Sequence, residues 1–306
     1  MRITNGTLTN NFLRNLSKNL KQMEKYQSQL SSGKEVSRSS DNPMLVARIM
    51  SLDNTIMQNE QYNSNIQDTI SWVETEDSAL SGISSTMLRV RELIVYGSNG
   101  TLSDTDRSAI VDEMNMLVEE LGENLNTNFD GRHIFGGQKT NNPPFQITQN
   151  SAGTNILSYN GDNNNITREI AKNVSVDIIS DGSKLVTANS TSNPANSDLG
   201  TLMGKIINAL SDNDLEALSG ELLGDIDEHV DNVIRIRSKV GAIYNRLEAA
   251  KERNETENLN MTELLSERED IDIAEKVMEY NVMVSVYQSS LSAGAKVLQP
   301  SLLDYI

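Results

Sequence analysis

Two short segments of the chain contain the residue types that metal and phosphate sites need. In GDIDEHVD acidic residues surround His229, and in GRHIFGGQKT two glycines follow His133. A metal site needs ligands that converge on one point, but Asp225, Asp227 and Asp231 on one helix point in different directions, and no second histidine is close in sequence. We therefore interpret GDIDEHVD as a solvated helix face.

The glycine segment GRHIFGGQKT matches only part of a phosphate-binding loop. Gly137 stands where the lysine of such a loop follows its second glycine, and no buried strand precedes the segment. Glycines in this arrangement indicate turns instead. We predict that Gly131 ends a helix and that Gly136 and Gly137 form the turn of a hairpin.

The composition provides little else for catalysis. The 306-residue chain has no cysteine and two histidines, so thiolate ligands, disulfides and histidine bases are scarce. We expect no enzyme activity and no catalytic, cofactor-binding or metal-binding residues. The net charge of −17 argues against nucleic-acid binding, and no segment has the roughly 20 apolar residues of a membrane span. The first residues also lack the apolar core of a cleaved signal peptide.

Apolar residues at helical spacing mark both ends of the chain, where they predict helices with narrow apolar seams that pack on other helices. The predicted N-terminal assembly seam consists of Leu13, Leu16, Leu20, Met23 and Leu30. The predicted C-terminal assembly seam consists of Ile273, Val277, Tyr280, Val284, Tyr287, Leu291 and Leu298.

The charge of the two ends favours pairing between them. Residues 1–40 carry seven Lys or Arg and two acids, whereas residues 271–306 carry two Lys and four acids. A basic amphipathic helix can also lie on a membrane surface, but this seam is narrow and lacks an interfacial tryptophan. We therefore expect no membrane partner.

Long helices are predicted on both sides of a β-rich region. Asn42 or Asp41, followed by Pro43, predicts the N-cap of a helix that continues to Tyr96. Ser103 opens a shorter antiparallel helix. Residues 131–198 contain the alternating runs FQIT, ILSY, ITREI and VSVDI, which are typical of hairpins.

Helix is predicted again from Leu199, with a short linker around SEREDID before the final seam. A core stripe follows the second long helix: Leu222, Ile226, Val230, Val233, Ile236, Val240, Ile243 and Leu247. The predicted fold is mainly α, an elongated bundle of long antiparallel helices with terminal coiled-coil helices and a small β-rich insertion.

The predicted domains divide the chain into three parts. Residues 1–40 and 270–306 form a terminal coiled-coil domain, residues 41–135 and 199–269 a long helical rod domain, and residues 136–198 a small β-rich outer domain.

Three motifs support a resemblance to a known family. They are LSSGKEVSRSSDNPMLVARIMSL, FDGRHIFGG with PPF shortly after it, and DIDIAEKVMEYNVMVSVYQSSLSAGAKVLQPSLLDYI. Together they closely resemble the flagellin superfamily, and within it the branch found at the junction of hook and filament. His133 is a departure, because tyrosine is more usual at that position.

The resemblance implies a flagellin-like structural protein of the bacterial flagellum, an adaptor that joins hook to filament by self-assembly through its terminal helices. The implied partners are other copies of the chain in a ring, a hook-associated protein on the hook side, flagellin or the filament on the other side, and an export chaperone. It also implies export by the flagellar secretion apparatus, without a cleaved signal peptide, to the extracellular junction of hook and filament. No cofactor is implied.

Two alternatives remain open at this point. The first is a minor flagellin, a subunit of the filament itself. The second is an enzyme or secreted binding protein whose activity lies in the β-rich region, although that region lacks paired histidines, cysteines or a catalytic set.

Overall fold

The computed structural model of the protein describes residues 5–149, 154–188 and 198–297, and this part of the chain is mainly helical. In chain order its elements are α1 (Asn5–Ser32), α2 (Pro43–Gly97), α3 (Asp104–Leu125), β1 (Asn128–Phe129), β2 (Arg132–His133), β3 (Phe145–Gln149), β4 (Asn155–Tyr159), β5 (Ile166–Ala171), β6 (Val174–Ile178), α4 (Ser183–Val186), α5 (Leu199–Asp212), α6 (Leu215–Ser219), α7 (Glu221–Glu269) and α8 (Ile273–Val297). The long helices and small antiparallel strand pairs confirm the predicted mainly α fold.

The long helices begin where their capping residues predict. Asn42 Oδ1 accepts a hydrogen bond from the amide of Leu45 at 3.2 Å, so Asn42 caps α2 directly before Pro43. Ser103 and Asp106 form a capping box at the start of α3. These side chains satisfy backbone amides that the first helical turn leaves unpaired.

The strands form three separate antiparallel hairpins, β1–β2, β3–β4 and β5–β6. The last two pair FQIT with ILSY and ITREI with VSVDI, as the alternating runs predict. The prediction that Gly131 ends a helix is wrong, because α3 already ends at Leu125. Asp130 and Gly131, with φ of 50° and 77°, instead form the two-residue turn of β1–β2.

The described chain divides into two compact units. The central unit comprises Gln61–Glu255, and the terminal unit comprises Met1–Glu60 and Thr256–Ile306. In the central unit one hydrophobic cluster includes residues of the long helices, of α5 and of the hairpins. The predicted three-domain division stays a prediction.

Two glycines show how closely the β3–β4 hairpin approaches the helices of the central unit. A Cβ at Gly122 of α3 would lie 2.6 Å from Ile147 Cδ1, and a Cβ at Gly200 of α5 would lie 1.9 Å from the carbonyl oxygen of Leu157. Both distances are shorter than any van der Waals contact. The hairpin therefore packs closely on α3 and α5. At Gly200 the obstacle is backbone, so only glycine fits there, whereas the Ile147 side chain near Gly122 can rotate away.

The predicted core stripe of α7 is confirmed: Leu222, Ile226, Val230, Val233, Ile236, Val240 and Leu247 are buried, and Ile243 is partly buried. The interpretation of GDIDEHVD as a solvated face is wrong for Asp225 and His229, which are completely buried. Both lie on the side of α7 that carries this stripe. Asp227 faces outward and pairs with Arg91 at 2.5 Å.

Helix α7 continues to Glu269, beyond the predicted stripe and through most of SEREDID. The connection to α8 is therefore only three residues long, shorter than predicted.

Candidate assembly interface at the chain ends

The two ends of the described chain pair as antiparallel helices in the terminal unit. Asn19 Nδ2 of α1 donates a hydrogen bond to Ser290 Oγ of α8 at 3.4 Å. Gly294 is buried, and a Cβ there would lie 2.1 Å from the Phe12 ring. At the opposite end of the pair, Lys276 Nζ lies 5.7 Å from the centroid of the Tyr26 ring. Residues 271 positions apart in sequence thus become neighbours.

The structure divides the two predicted seams between packed and exposed positions. The partly buried members are Leu16, Met23, Leu30, Tyr280, Val284 and Tyr287. The exposed members are Leu13 at 51%, Leu20 at 47%, Ile273 at 66%, Val277 at 42% and Leu291 at 44%. Leu298 lies outside the described residues. The assembly role of these seams stays a prediction.

The exposed seam positions are large apolar side chains on a helix pair that buries only one side of each helix. Full burial of a Leu or Ile side chain contributes about 1.5–3 kcal/mol relative to leaving it in water. In a single copy of the chain these side chains stay in contact with water, so much of this stabilisation is not gained. Further apolar contacts are therefore available to whatever covers the terminal pair.

A second apolar face of α8 has no counterpart in the seam predictions. Met278, Val282 and Val286, spaced four residues apart, are 64%, 57% and 42% exposed. Together with Ala293 they line a shallow apolar surface that also includes Ser285 and Ser289. The spacing of four residues could be found in the sequence, but the regular steps of three and four residues in the neighbouring seam were the stronger signal. Helix α8 therefore presents apolar side chains on more than one side.

A backbone clasp fastens the terminal pair at one end, and we define it as residues 33–35 with residues 269–271. The amide of Glu35 donates to the carbonyl of Glu269 at 2.7 Å, and the amide of Ile271 donates to the carbonyl of Gly33 at 3.1 Å. Gly33 has a φ of +73°, which a residue with a side chain adopts only with strain. The clasp explains why a glycine follows LSS at the end of α1.

Ion pairs surround the clasp. Lys276 Nζ lies 3.3 Å from a carboxylate oxygen of Glu35 and 3.1 Å from one of Glu279, and Lys34 pairs with Glu269. Burial lowers the pKa of Lys276, but the hydrogen bonds and negative charge of Glu279 and Glu35 outweigh it, so the pKa is raised. The hydrogen bond with Glu269 raises the pKa of Lys34. Both lysines therefore remain charged at neutral pH.

The clasp unites residues that sequence reasoning treated only as parts of separate motifs. Asp272 Oδ1 accepts hydrogen bonds from the amides of Ala274 and Glu275, at 2.9 and 3.2 Å, and so caps α8. LSSGKE thus supplies one half of the clasp, and DIDIAEK supplies Asp270 and Ile271 of the other half. The contacts are long-range, so no local pattern could have revealed them.

Within the described ranges, no group of three or more His, Cys, Asp or Glu residues is arranged to hold a metal ion. None of the described helices is long and apolar enough to cross a membrane.

Comparison with known proteins provides a family. The N-terminal helical region of bacterial flagellin matches residues 3–140, and its C-terminal helical region matches residues 223–306. Flagellar hook-associated protein 3 of Escherichia coli is 27% identical over 310 residues, which cover 96% of this chain and 96% of that protein. Flagellin of Bacillus subtilis is also 27% identical, over 95% of both chains.

A solved structure agrees in fold. The chain is similar to flagellar hook associated protein-3 of Legionella pneumophila, with a TM-score of 0.61 and 17% identity over 72% of this chain and 98% of that one.

Proposed function

Because the chain belongs to the bacterial flagellin superfamily, we propose that it is a structural subunit of the flagellum that joins the hook to the filament. The observation that carries this proposal is the match to a hook-associated protein 3 over nearly the whole of both chains. The proposed role is mechanical and involves no catalysis. The chain assembles with further copies of itself through its terminal helices.

The exposed apolar side chains of α1 and α8 support self-assembly. A folded copy leaves Leu13, Leu20 and Leu291 between 44% and 51% exposed. Apolar surface of this kind stabilises an assembly when a neighbour removes it from water. In this proposal the terminal helices form a coiled-coil layer of a ring, the long helices form a second layer, and the β-rich region lies outside.

Further partners belong to the same proposal. A hook-associated protein binds on the hook side, and flagellin or the filament binds on the other side. An export chaperone covers the apolar faces of α8 before assembly, since Met278 and Val282 would otherwise be exposed in the cell. The flagellar secretion apparatus exports the chain, without cleavage of a signal peptide, to the junction of hook and filament.

The location of the protein on isolated flagella tests this function. The chain has no cysteine, so a single Lys172→Cys substitution, at an exposed position beside β5, allows specific labelling with a maleimide dye. In cells that carry only this variant, we expect one labelled spot where each filament meets its hook. Cells with the unsubstituted, cysteine-free chain provide the background control.

The same measurement decides the alternative that the chain is a minor flagellin, which its similarity to flagellin of Bacillus subtilis keeps open. Label along the whole filament would identify a filament subunit. Absence of label from both junction and filament would reject both functions.

A further inference from the structure

Four exposed cations follow one side of α1. Arg14, Lys18, Lys21 and Lys25 are all exposed, and none forms a salt bridge with any residue that the structure describes. We call this set the basic stripe. Its presence is unusual in a chain with a net charge of −17, which offers many carboxylates for pairing.

The spacing of the basic stripe makes it a continuous surface. Steps of four, three and four residues keep all four side chains on one helix face, along roughly 16 Å at about 1.5 Å per residue. Like charges three or four residues apart on a helix repel each other and destabilise it. Glu24, Glu35 and Asp41 of the same chain lie beside the stripe and offset part of this repulsion. An acidic partner would offset the rest.

The terminal unit contains an acidic segment, residues 256–275, in which Leu259, Glu263 and Glu267 follow one face of α7 because they are spaced four residues apart. We call this segment the acidic surface. Residues 256–275 include seven acids and only one base. Four of these acids are exposed and form no salt bridge with described residues: Glu257, Glu263, Glu267 and Glu275. Leu259, 68% exposed, precedes Glu263 by one turn of α7. Lysine side chains suit this surface, because their methylene stems cover apolar groups while the ammonium groups reach carboxylates.

We propose that the basic stripe of α1 binds the acidic surface of residues 256–275 on a second copy of the chain. The inference rests on the proposed function and adds the surfaces through which one copy recognises the next. Each copy has one basic and one acidic surface, so the contact is head-to-tail, and repetition of a head-to-tail contact produces a ring or a filament. Complementary charge fixes the register of such a contact and excludes wrong partners.

A second copy fits the basic stripe better than an anionic membrane or a nucleic acid. Both of those bind over large areas, where the remaining negative charge of the chain would be repelled. A second copy instead presents its own acidic surface at one place. It also removes the apolar side chains of the terminal pair from water in the same step.

Charge reversal tests the proposal. Purified, labelled protein is added to bacteria that produce hooks but lack the gene for this chain. The variants then need not be exported. Bound copies per hook are counted. We expect Lys18→Glu with Lys21→Glu to reduce binding about tenfold, and Glu263→Lys with Glu267→Lys to do the same; a factor of ten corresponds to about 1.4 kcal/mol. The chain that carries all four substitutions should bind within about twofold of the original, because the two surfaces are again complementary.

The matched control reverses two exposed cations of the central unit, Arg132→Glu with Lys239→Glu, which changes the net charge by the same amount and should leave binding unchanged. Unaltered binding of the variant with Lys18→Glu and Lys21→Glu, or of the variant with Glu263→Lys and Glu267→Lys, would overturn the inference. Failure of the fourfold variant to recover would also overturn it. Binding of the original chain, but not the fourfold variant, to vesicles rich in phosphatidylglycerol would identify a membrane as the partner. The labelling experiment at Lys172 does not depend on any of these outcomes.

Discussion

Glu76 is an acid that the fold places entirely inside the central unit. Its side chain is 1% exposed, and neither carboxylate oxygen has a hydrogen-bond partner among the described residues. Burial, with a smaller contribution from the charge of Asp77, raises its pKa well above the usual range. A buried carboxylate without a partner favours its neutral form, because ionisation in an apolar interior is costly.

This environment makes the stability of the central unit depend on pH. The pKa of Glu76 is higher in the folded chain than in the unfolded chain. Its contribution to the free energy of unfolding is therefore complete below the usual carboxyl pKa, and it decreases as the pH rises towards the raised value. We expect Glu76→Gln to increase the urea midpoint at pH 8 by more than at pH 5. Asp68→Asn, at an exposed position of α2, is the control. An equal effect of Glu76→Gln at both pH values would contradict ionisation as the cause.

Gly200 permits the close contact between α5 and β4. A Cβ would lie 1.9 Å from the carbonyl oxygen of Leu157, which belongs to the backbone and cannot rotate away. We expect Gly200→Ala to reduce the free energy of unfolding by about 2 kcal/mol, as forced shifts in a packed core do. Chemical denaturation measures this change.

Gly204, one turn further along α5, is the matched control because a Cβ there meets nothing within 4 Å. Alanine is preferred over glycine in helices, so Gly204→Ala should be neutral or stabilise by up to about 1 kcal/mol. Equal losses from both substitutions would show that the contact with Leu157 does not matter.

At the scale of elements, the clasp holds α1 and α8 together through Gly33. Its φ of +73° would strain an alanine by about 1 kcal/mol, so Gly33→Ala should open the clasp more often. We expect the amides of Glu35 and Ile271 to exchange about fivefold faster with solvent, the factor that corresponds to about 1 kcal/mol. Gly6→Ala, in open space on α1, should leave both rates unchanged. Unchanged exchange in Gly33→Ala would mean that the clasp does not depend on this glycine.

The elements with regular periodicity were predictable from sequence. The stripe of α7 repeats every three or four residues because one face of the helix meets the core. In β4 buried positions alternate with more exposed ones because one face of the strand meets the core, whereas only Phe145 of β3 is buried. The caps at Asn42 and Ser103 were predictable as well, since a cap depends on residues within one turn.

The missed features depend on contacts that local patterns do not contain. The burial of His229 follows from the elements that pack on α7, and the clasp joins segments more than 230 residues apart. The turn at Asp130 and Gly131 was missed because a glycine after a helix can equally end it or begin a hairpin. At the candidate interface, the sequence predicted the seams but not the division between buried and exposed members.

At the scale of the whole molecule, the paired helices α1 and α8 leave large apolar side chains exposed in a single copy. The pairing of α1 with α8 requires closure of nearly the whole chain into one loop, which costs conformational entropy. The clasp and the packed side of the two helices offset part of that cost. In the proposed assembly, contacts between copies would add apolar burial that one pair of helices does not supply.

A substitution at Leu291 distinguishes effects on the stability of one copy from effects on assembly. This residue is 44% exposed on α8 and belongs to the predicted C-terminal seam. We expect Leu291→Asp to leave thermal unfolding of the purified chain within about 0.5 kcal/mol of the original, as surface substitutions do. Between copies the same carboxylate would be buried without a partner, at a cost of several kcal/mol, so cells should form hooks without filaments and release flagellin into the medium. Ser292→Asp places the same charge at the neighbouring exposed position, outside the seam, and should preserve filaments. Normal filaments in Leu291→Asp cells would show that this part of α8 faces water in the assembled junction.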